Sequence, residues 1–210
     1  MIFSSKKRVL IDPTDALAGR AIPMPINNSH FINNHPIAPP FPEHLQQAFF
    51  ALGCFWGAER LFWQYPNIFS TAVGYSGGYT PNPNYEEVCT GLTGHTETVS
   101  VIYDPNLTRY EELLALFWES HNPTQDMQQG NDIGTQYRSA IFTTTQQQFD
   151  TAVLSKNTYQ QRLATHNFPA ITTEIKPIDI FYYAENYHQQ YLAKNPHGYC
   201  GLGGLGVYFE

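Results

Sequence analysis

Ala48-Phe49-Phe50-Ala51-Leu52-Gly53-Cys54-Phe55-Trp56-Gly57-Ala58-Glu59-Arg60-Leu61-Phe62 carries two periods in succession. The unbroken apolar run over 48–52 predicts a short buried strand. Phe55, Ala58, Leu61 and Phe62 then recur at helical spacing, predicting a helix over 55–65 that stops before Pro66. Cys54 falls at the junction, where the first N–H groups of a helix lack intrahelical partners and its dipole favours negative charge. A thiolate is expected there, since the same features lower the pKa of a cysteine. The competing assignment is a small buried hydrophobe packed between aromatic rings, the ordinary state of an intracellular cysteine.

Working outward, residues 69–75 and 98–103 read as further strands, the first ended by Ser76-Gly77-Gly78 and the second by Asp104-Pro105. Thr108-Arg109-Tyr110-Glu111 has the spacing of a capping box, followed by Tyr110, Leu113, Leu114 and Phe117 on one helical face. Residues 137–143 predict a strand, 146–165 a long polar helix, and 171–175 and 180–183 two more strands. This mixture of crossovers and adjacent strands points to an α+β fold, a two-layer sandwich of a mixed sheet with helices around a ferredoxin-like core. Residues 1–43, rich in Pro, Asn and His, are expected to form an extended arm. The catalytic domain is then 44–199, and the glycine-rich tail, 200–210, is expected to be mobile.

Composition narrows the function classes. The chain has 210 residues, 42% apolar and only 14% charged, with 14 Phe and 14 Tyr, enough for one domain whose core leans on aromatic side chains. A net charge of −7 gives no electrostatic reason to expect nucleic acid or an anionic membrane as partner. The basic start Lys6-Lys7-Arg8 is followed by an apolar run, Val9-Leu10-Ile11, too short for a secretory signal, and no stretch approaches the ~20 apolar residues of a membrane-spanning helix. A cytoplasmic monomer is the expectation.

Cys54, Cys89 and Cys200 are odd in number and contain no Cys-x-x-Cys pair, which argues against a disulfide framework and a zinc site. Gly201-Leu202-Gly203-Gly204-Leu205-Gly206 has the spacing of a dinucleotide loop, but no helix follows to receive a pyrophosphate. Glu185-Asn186-Tyr187-His188 has the Glu-x-x-His spacing of di-iron bundles without the partner motif. Neither a nucleotide nor a metal is expected. A cysteine hydrolase using Cys54 and His95, and a non-catalytic redox sensor or sulfoxide-binding module, are the rival readings.

Gly53-Cys54-Phe55-Trp56-Gly57, then Gly74-Tyr75-Ser76-Gly77-Gly78, then Gly94-His95-Thr96-Glu97 resembles, in order, the signature of the peptide methionine sulfoxide reductase A family. The likeness continues through Asp132-Ile133-Gly134-Thr135-Gln136-Tyr137-Arg138-Ser139 and Ala184-Glu185-Asn186-Tyr187-His188-Gln189-Gln190-Tyr191, covering about 48 to 207. It implies reduction of the S-epimer of methionine sulfoxide, free or in oxidised proteins, with electrons from thioredoxin and no cofactor. Cys54 would attack the sulfoxide sulfur. Glu97, held among aromatic rings and so kept protonated by desolvation, would donate protons to the oxygen. The resemblance assigns hydroxyl donation to Tyr85 and Tyr137, site organisation to Asp132, and an apolar cup for the S-methyl group to Phe55 and Trp56. Cys200, in His197-Gly198-Tyr199-Cys200-Gly201, would resolve the Cys54 sulfenic acid as a disulfide. Many relatives carry a further recycling cysteine where this chain has Tyr208, so a single relay is implied. Cys89 is expected to be structural.

Overall fold

The computed structural model describes residues 8–209; Lys6 and Lys7 of the basic start and the final Glu210 lie outside the described residues. In chain order the elements are β1 (Gln46–Ala51), α1 (Phe55–Trp63), β2 (Ile68–Ser76), α2 (Tyr85–Cys89), β3 (Thr96–Tyr103), α3 (Tyr110–Ser120), β4 (Gln128–Gln129), β5 (Asp132–Ile133), β6 (Ala140–Thr143), α4 (Gln146–Thr165), β7 (Glu174–Pro177), β8 (Phe181–Tyr183) and α5 (Tyr191–Lys194). Six strands form one mixed sheet in the order β7-β6-β1-β3-β2-β8, in which β6 and β7 are parallel and every other pair is antiparallel; β4 and β5 form a separate hairpin. The fold is therefore mixed α+β.

The apolar run of β1 divides by the two-residue period of a strand. Ala48 and Phe50 join Val99, Val101, Tyr103 and Val73 on one face, where Phe62 of α1, Leu113, Phe117 and Trp118 of α3, and Tyr159 of α4 complete the main core. Phe50 stacks on Phe62 at 4.9 Å between ring centroids and meets Phe117 at 5.6 Å. Phe49 and Ala51 point the other way, to Ala140 and Phe142 beneath Ile178 and Phe181. Fully burying an aromatic or branched side chain contributes roughly 1.5–3 kcal/mol, so β1 with its two apolar faces anchors both sides of the sheet.

Helix α4 has the predicted bounds, whereas other boundaries shift for identifiable reasons. The cap of α3 lies one residue later than the predicted box: Glu112 Oε2, not Glu111, accepts the backbone N–H of Arg109 at 2.7 Å. Thr108, buried, instead donates its hydroxyl to the Pro66 carbonyl at 3.2 Å. Residues 137–143 do not form one strand, because Thr135–Tyr137 closes a 3-10 turn and β6 begins at Ala140. The strand expected over 171–175 is displaced to β7, since the Thr172 N–H and hydroxyl are both committed to the Pro123 carbonyl.

The segment before β1 packs on the sheet through buried His30 and Ile37 and through His35 stacked on Phe69 at 4.1 Å, and on α2 through Arg20 paired with Glu87 at 2.7 Å. After α5 the chain returns along α3 and α4: the Tyr159 hydroxyl donates to the Val207 carbonyl at 2.9 Å, and the Phe209 N–H to Glu119 Oε1 at 2.7 Å. Among the described residues no helix is long and apolar enough to cross a membrane.

Candidate active site

Cys54 is the N-cap residue of α1, held where β1 ends and the chain turns at Gly53. Gly53 has φ +97°, and a Cβ there would come within 2.6 Å of the Gln129 side chain, so both backbone and space require glycine. The turn sends the Phe55 N–H to Glu97 Oε2 at 2.8 Å. Glu97 lies near the start of β3, opposite Tyr75 of β2, and is 1% exposed. Burial pushes its carboxyl up to about 8, against the Phe55 N–H and with help from the charge of Asp132. A neutral carboxyl thus sits beside the cysteine at neutral pH.

The thiolate expected from the helix start is not what the resting site favours. Burial first, and then the Glu97 charge, push the Cys54 thiol well above its ordinary value; the N–H groups of Trp56 and Gly57 pull it down without offsetting them. Desolvation of a charge outweighs a helix terminus when the sulfur is enclosed. One of those opposing effects disappears when Glu97 holds its proton.

Tyr85 opens α2 and Tyr137 ends the 3-10 turn, two elements remote in sequence. Both phenols are held in the protonated state by burial and by the Glu97 charge, Tyr137 also by Cys54, which places the two hydroxyls round the same centre. Tyr85 further hydrogen-bonds Cys89, which ends α2 one turn on. Asp132 stands on β5 and accepts the Tyr199 hydroxyl at 3.2 Å, so the tail is tied to the hairpin. Burial raises the Asp132 carboxyl, partly opposed by that hydrogen bond.

Phe55 is buried and Trp56 half-buried, and a ring of further aromatic groups encloses them. Trp56 stacks on Tyr191 at 3.9 Å and 15°, and donates its indole N–H to His188 Nδ1 at 2.9 Å. His188 lies 5.0 Å from Phe55 and 4.5 Å from Tyr85 between ring centroids. Burial drives His188 down to about 4, so the ring is neutral and free to accept from the indole. Glu185 braces two other members, accepting the Tyr75 hydroxyl at 3.0 Å and the Tyr85 N–H at 2.8 Å. Cys200 reaches the same place: a Cβ on Gly57 would come within 2.8 Å of its sulfur. Neither Cys54 nor Cys200 is in a disulfide.

All eight residues singled out from the sequence therefore gather at the start of α1. The reading of single residues missed His188, Tyr191 and Glu185 as site components; their signal lay in the stretch 184–191, whose local spacing suggested only an unmatched metal motif. His95 lies outside the cluster. Its Nδ1 accepts the Gly78 N–H at 3.1 Å and its Nε2 meets the Thr80 carbonyl at 2.8 Å, so it fastens the loops and has no nitrogen left to act as a base. Among the described residues no three His, Cys, Asp or Glu side chains are grouped to hold a metal.

Comparison with known proteins gives the family and the fold. A family model described as "Peptide methionine sulfoxide reductase" matches residues 46–203. The chain is 59% identical over 202 residues to peptide methionine sulfoxide reductase MsrA 1 of Synechocystis sp., covering 96% of this chain and 91% of that protein. Its structure is similar to methionine sulfoxide reductase A of Corynebacterium diphtheriae, with a TM-score of 0.86, 44% identity and coverage of 91% and 93%. It also shares a fold with Mxr1 from Saccharomyces cerevisiae in complex with Trx2, at a TM-score of 0.52 and 24% identity over 73% of this chain and 89% of that one.

Proposed function

The chain belongs to the peptide methionine sulfoxide reductase family and is a peptide-methionine (S)-S-oxide reductase, and on that premise we propose that Cys54 attacks the sulfoxide sulfur while Glu97, Tyr85 and Tyr137 receive the oxygen. The observation that carries this reading is the Glu97 carboxyl, buried and bonded to the N–H of the residue that follows Cys54. A proton donor is useful only if it is loaded at the working pH, and burial loads this one. With Glu97 neutral, its repulsion of a Cys54 thiolate is gone and the Trp56 and Gly57 N–H groups act unopposed by it. The phenols donate hydrogen bonds to the oxygen without adding charge.

In the first step the Cys54 sulfur bonds to the sulfoxide sulfur as the oxygen takes a proton; the net exchange is Cys54–SH plus sulfoxide to Cys54–SOH plus methionine. The Cys200 thiol then displaces water from the sulfenic acid, forming a Cys54–Cys200 disulfide. A thioredoxin dithiol reduces that disulfide and is itself oxidised. The contact between Gly57 and the Cys200 sulfur supports this assignment, because it brings the second thiol to the first turn of the helix that Cys54 caps. Phe55 and Trp56, with Tyr191 and His188 behind the indole, form the apolar cup for the S-methyl group, and Asp132 organises the rim. The strand order β6-β1-β3-β2, with α1 and α3 as crossovers, supports reading the core of domain 44–199 as ferredoxin-like. Oxidised proteins and free methionine sulfoxide are the substrates in this account.

Thioredoxin-coupled turnover on peptides carrying either epimer, followed by mass spectrometry, tests it. Reduction of the S-epimer alone is expected; equal reduction of the R-epimer, or dependence on an added metal, would contradict the site as described.

A further inference from the structure

Glu59 has no part in the chemistry above, yet it is fully buried one helical turn beyond the Cys54 cap. Its Oε1 accepts the Thr71 hydroxyl at 3.0 Å and the Gln190 side-chain amide at 2.7 Å, and its Oε2 accepts the Gln190 backbone N–H at 2.7 Å. Because Thr71 donates to Glu59, its oxygen is left to accept from His30 Nε2 at 3.1 Å. That assignment makes His30 Nδ1 an acceptor, and the Ile32 N–H meets it at 3.3 Å. The Phe31 N–H closes the circuit by donating to Gln190 Oε1 at 3.0 Å. Each donor in this circuit has an acceptor, and the direction from Thr71 to Glu59 goes with an Nε2-protonated neutral imidazole at 30; burial raises the Glu59 carboxyl to about 7, against the hydrogen bonds from Gln190 and Thr71.

What the circuit holds is unusual. Gln190 has φ +48°, a left-handed conformation that a side chain rarely adopts, and it is the N-cap of α5. The next residue, Tyr191, is the one stacked on Trp56, and His188 two residues earlier takes the indole N–H. A backbone held in a sparsely populated conformation persists when its surroundings over-determine it. Here those surroundings are Glu59 from α1, Thr71 from β2, and the chain before β1.

We propose that His30 and Glu59 are positioning residues for the reductase: through Thr71 and Gln190 they lock the 187–191 loop against Trp56, so the N-terminal arm sets the shape of the cup that receives the substrate. The inference rests on the reading of Trp56 as a wall of that cup. Losing the lock lets the Tyr191 ring and the His188 acceptor drift from the indole. Substrate affinity suffers, while Cys54, Glu97 and Tyr137, which sit on other elements, keep their geometry, and Tyr85, whose ring meets His188, stays held through its N–H by Glu185.

The test compares single-turnover methionine formation on an S-sulfoxide peptide in the full chain and in His30→Ala, His30→Gln, Thr71→Val and Trp56→Ala. A glutamine at 30 can present an amide N–H near the position of the imidazole Nε2 and restore the donation to Thr71. For His30→Ala and Thr71→Val the half-saturating peptide concentration is expected to rise about tenfold, with the rate at saturation kept within about twofold and His30→Gln restored toward the parent. A purely structural role would lower the active fraction and the saturating amplitude with no change in half-saturation, and that result overturns the inference. Unchanged half-saturation in His30→Ala and Thr71→Val, with a rise in Trp56→Ala, overturns the inference and leaves the cup standing. Unchanged half-saturation in Trp56→Ala removes the cup itself and the inference with it.

Discussion

Gly57 and Cys200 meet where a side chain at 57 would not fit: a Cβ there would stand 2.8 Å from the Cys200 sulfur and 3.3 Å from Leu202 Cβ. Within a helix alanine is preferred to glycine by roughly 1 kcal/mol, so the glycine is disfavoured locally and tolerated for this approach. Gly57→Ala is therefore expected to displace the tail and slow disulfide formation about tenfold, while the first equivalent of methionine appears at the parent rate. Thioredoxin-coupled turnover against burst rate separates the two. An equal loss in both would mean that the substitution disturbs Cys54 itself.

Glu97 makes the first step depend on pH in a definite direction. Its carboxyl is raised by burial from 4.5 to about 8 in the folded protein. The donor is loaded below that value, so the single-turnover rate falls as pH rises through about 8. Glu97→Gln is expected to be slow, by about 10²–10⁴-fold, and to lose this limb. The same shift affects stability. An acid whose folded pKa is raised gives a contribution that is fully present below its unfolded value and is lost as pH rises toward the folded value, here between 4.5 and about 8. The melting temperature of Glu97→Gln should vary less with pH across that window than the parent's.

Asp132 adds a like charge that raises both Glu97 and Cys54. Asp132→Asn keeps an oxygen to accept the Tyr199 hydroxyl but removes the charge. The alkaline limb of the rate profile is expected to move to lower pH, with Tyr199 still tied to the hairpin. A limb that stays in place would show that Asp132 acts through solvent alone.

Cys200→Ser should release about one methionine per enzyme with thioredoxin as the only reductant, because the thiol at the first turn of α1 is gone and Cys89, at the end of α2, is engaged with Tyr85. Cys89→Ser should turn over repeatedly, since a serine hydroxyl at the end of α2 preserves a partner for Tyr85. Repeated turnover in Cys200→Ser that is lost on adding Cys89→Ser would transfer the resolving role to Cys89.

What the sequence made legible follows from how local each signal is. The strand and helix flanking Cys54 are written in consecutive residues, and so is α4, whose bounds agree. Thr108 misled because its hydroxyl is used by Pro66, 42 residues away, which no capping pattern records. The same holds for Thr172 and the position of β7. At the site, Cys54 and Glu97 carry recognisable local contexts. The resemblance located Tyr85, Tyr137 and Asp132, which on their own look like packing and turn residues. The protonation of Cys54 was misjudged because the helix start is local whereas the enclosure that opposes it is assembled from β3, the hairpin and the tail. His30 and Glu59 were illegible for the same reason, since their circuit joins four segments.

In this mechanism the Cys54 sulfur takes the oxygen from the sulfoxide. Cys200→Ser protein mixed with an S-sulfoxide peptide and a sulfenic-acid-trapping reagent, then digested and sequenced by mass spectrometry, tests it directly. Methionine is expected to form in step with an adduct on Cys54; methionine formed with the adduct on Cys89, or with Cys54 unmodified, would rule out Cys54 as the oxygen acceptor.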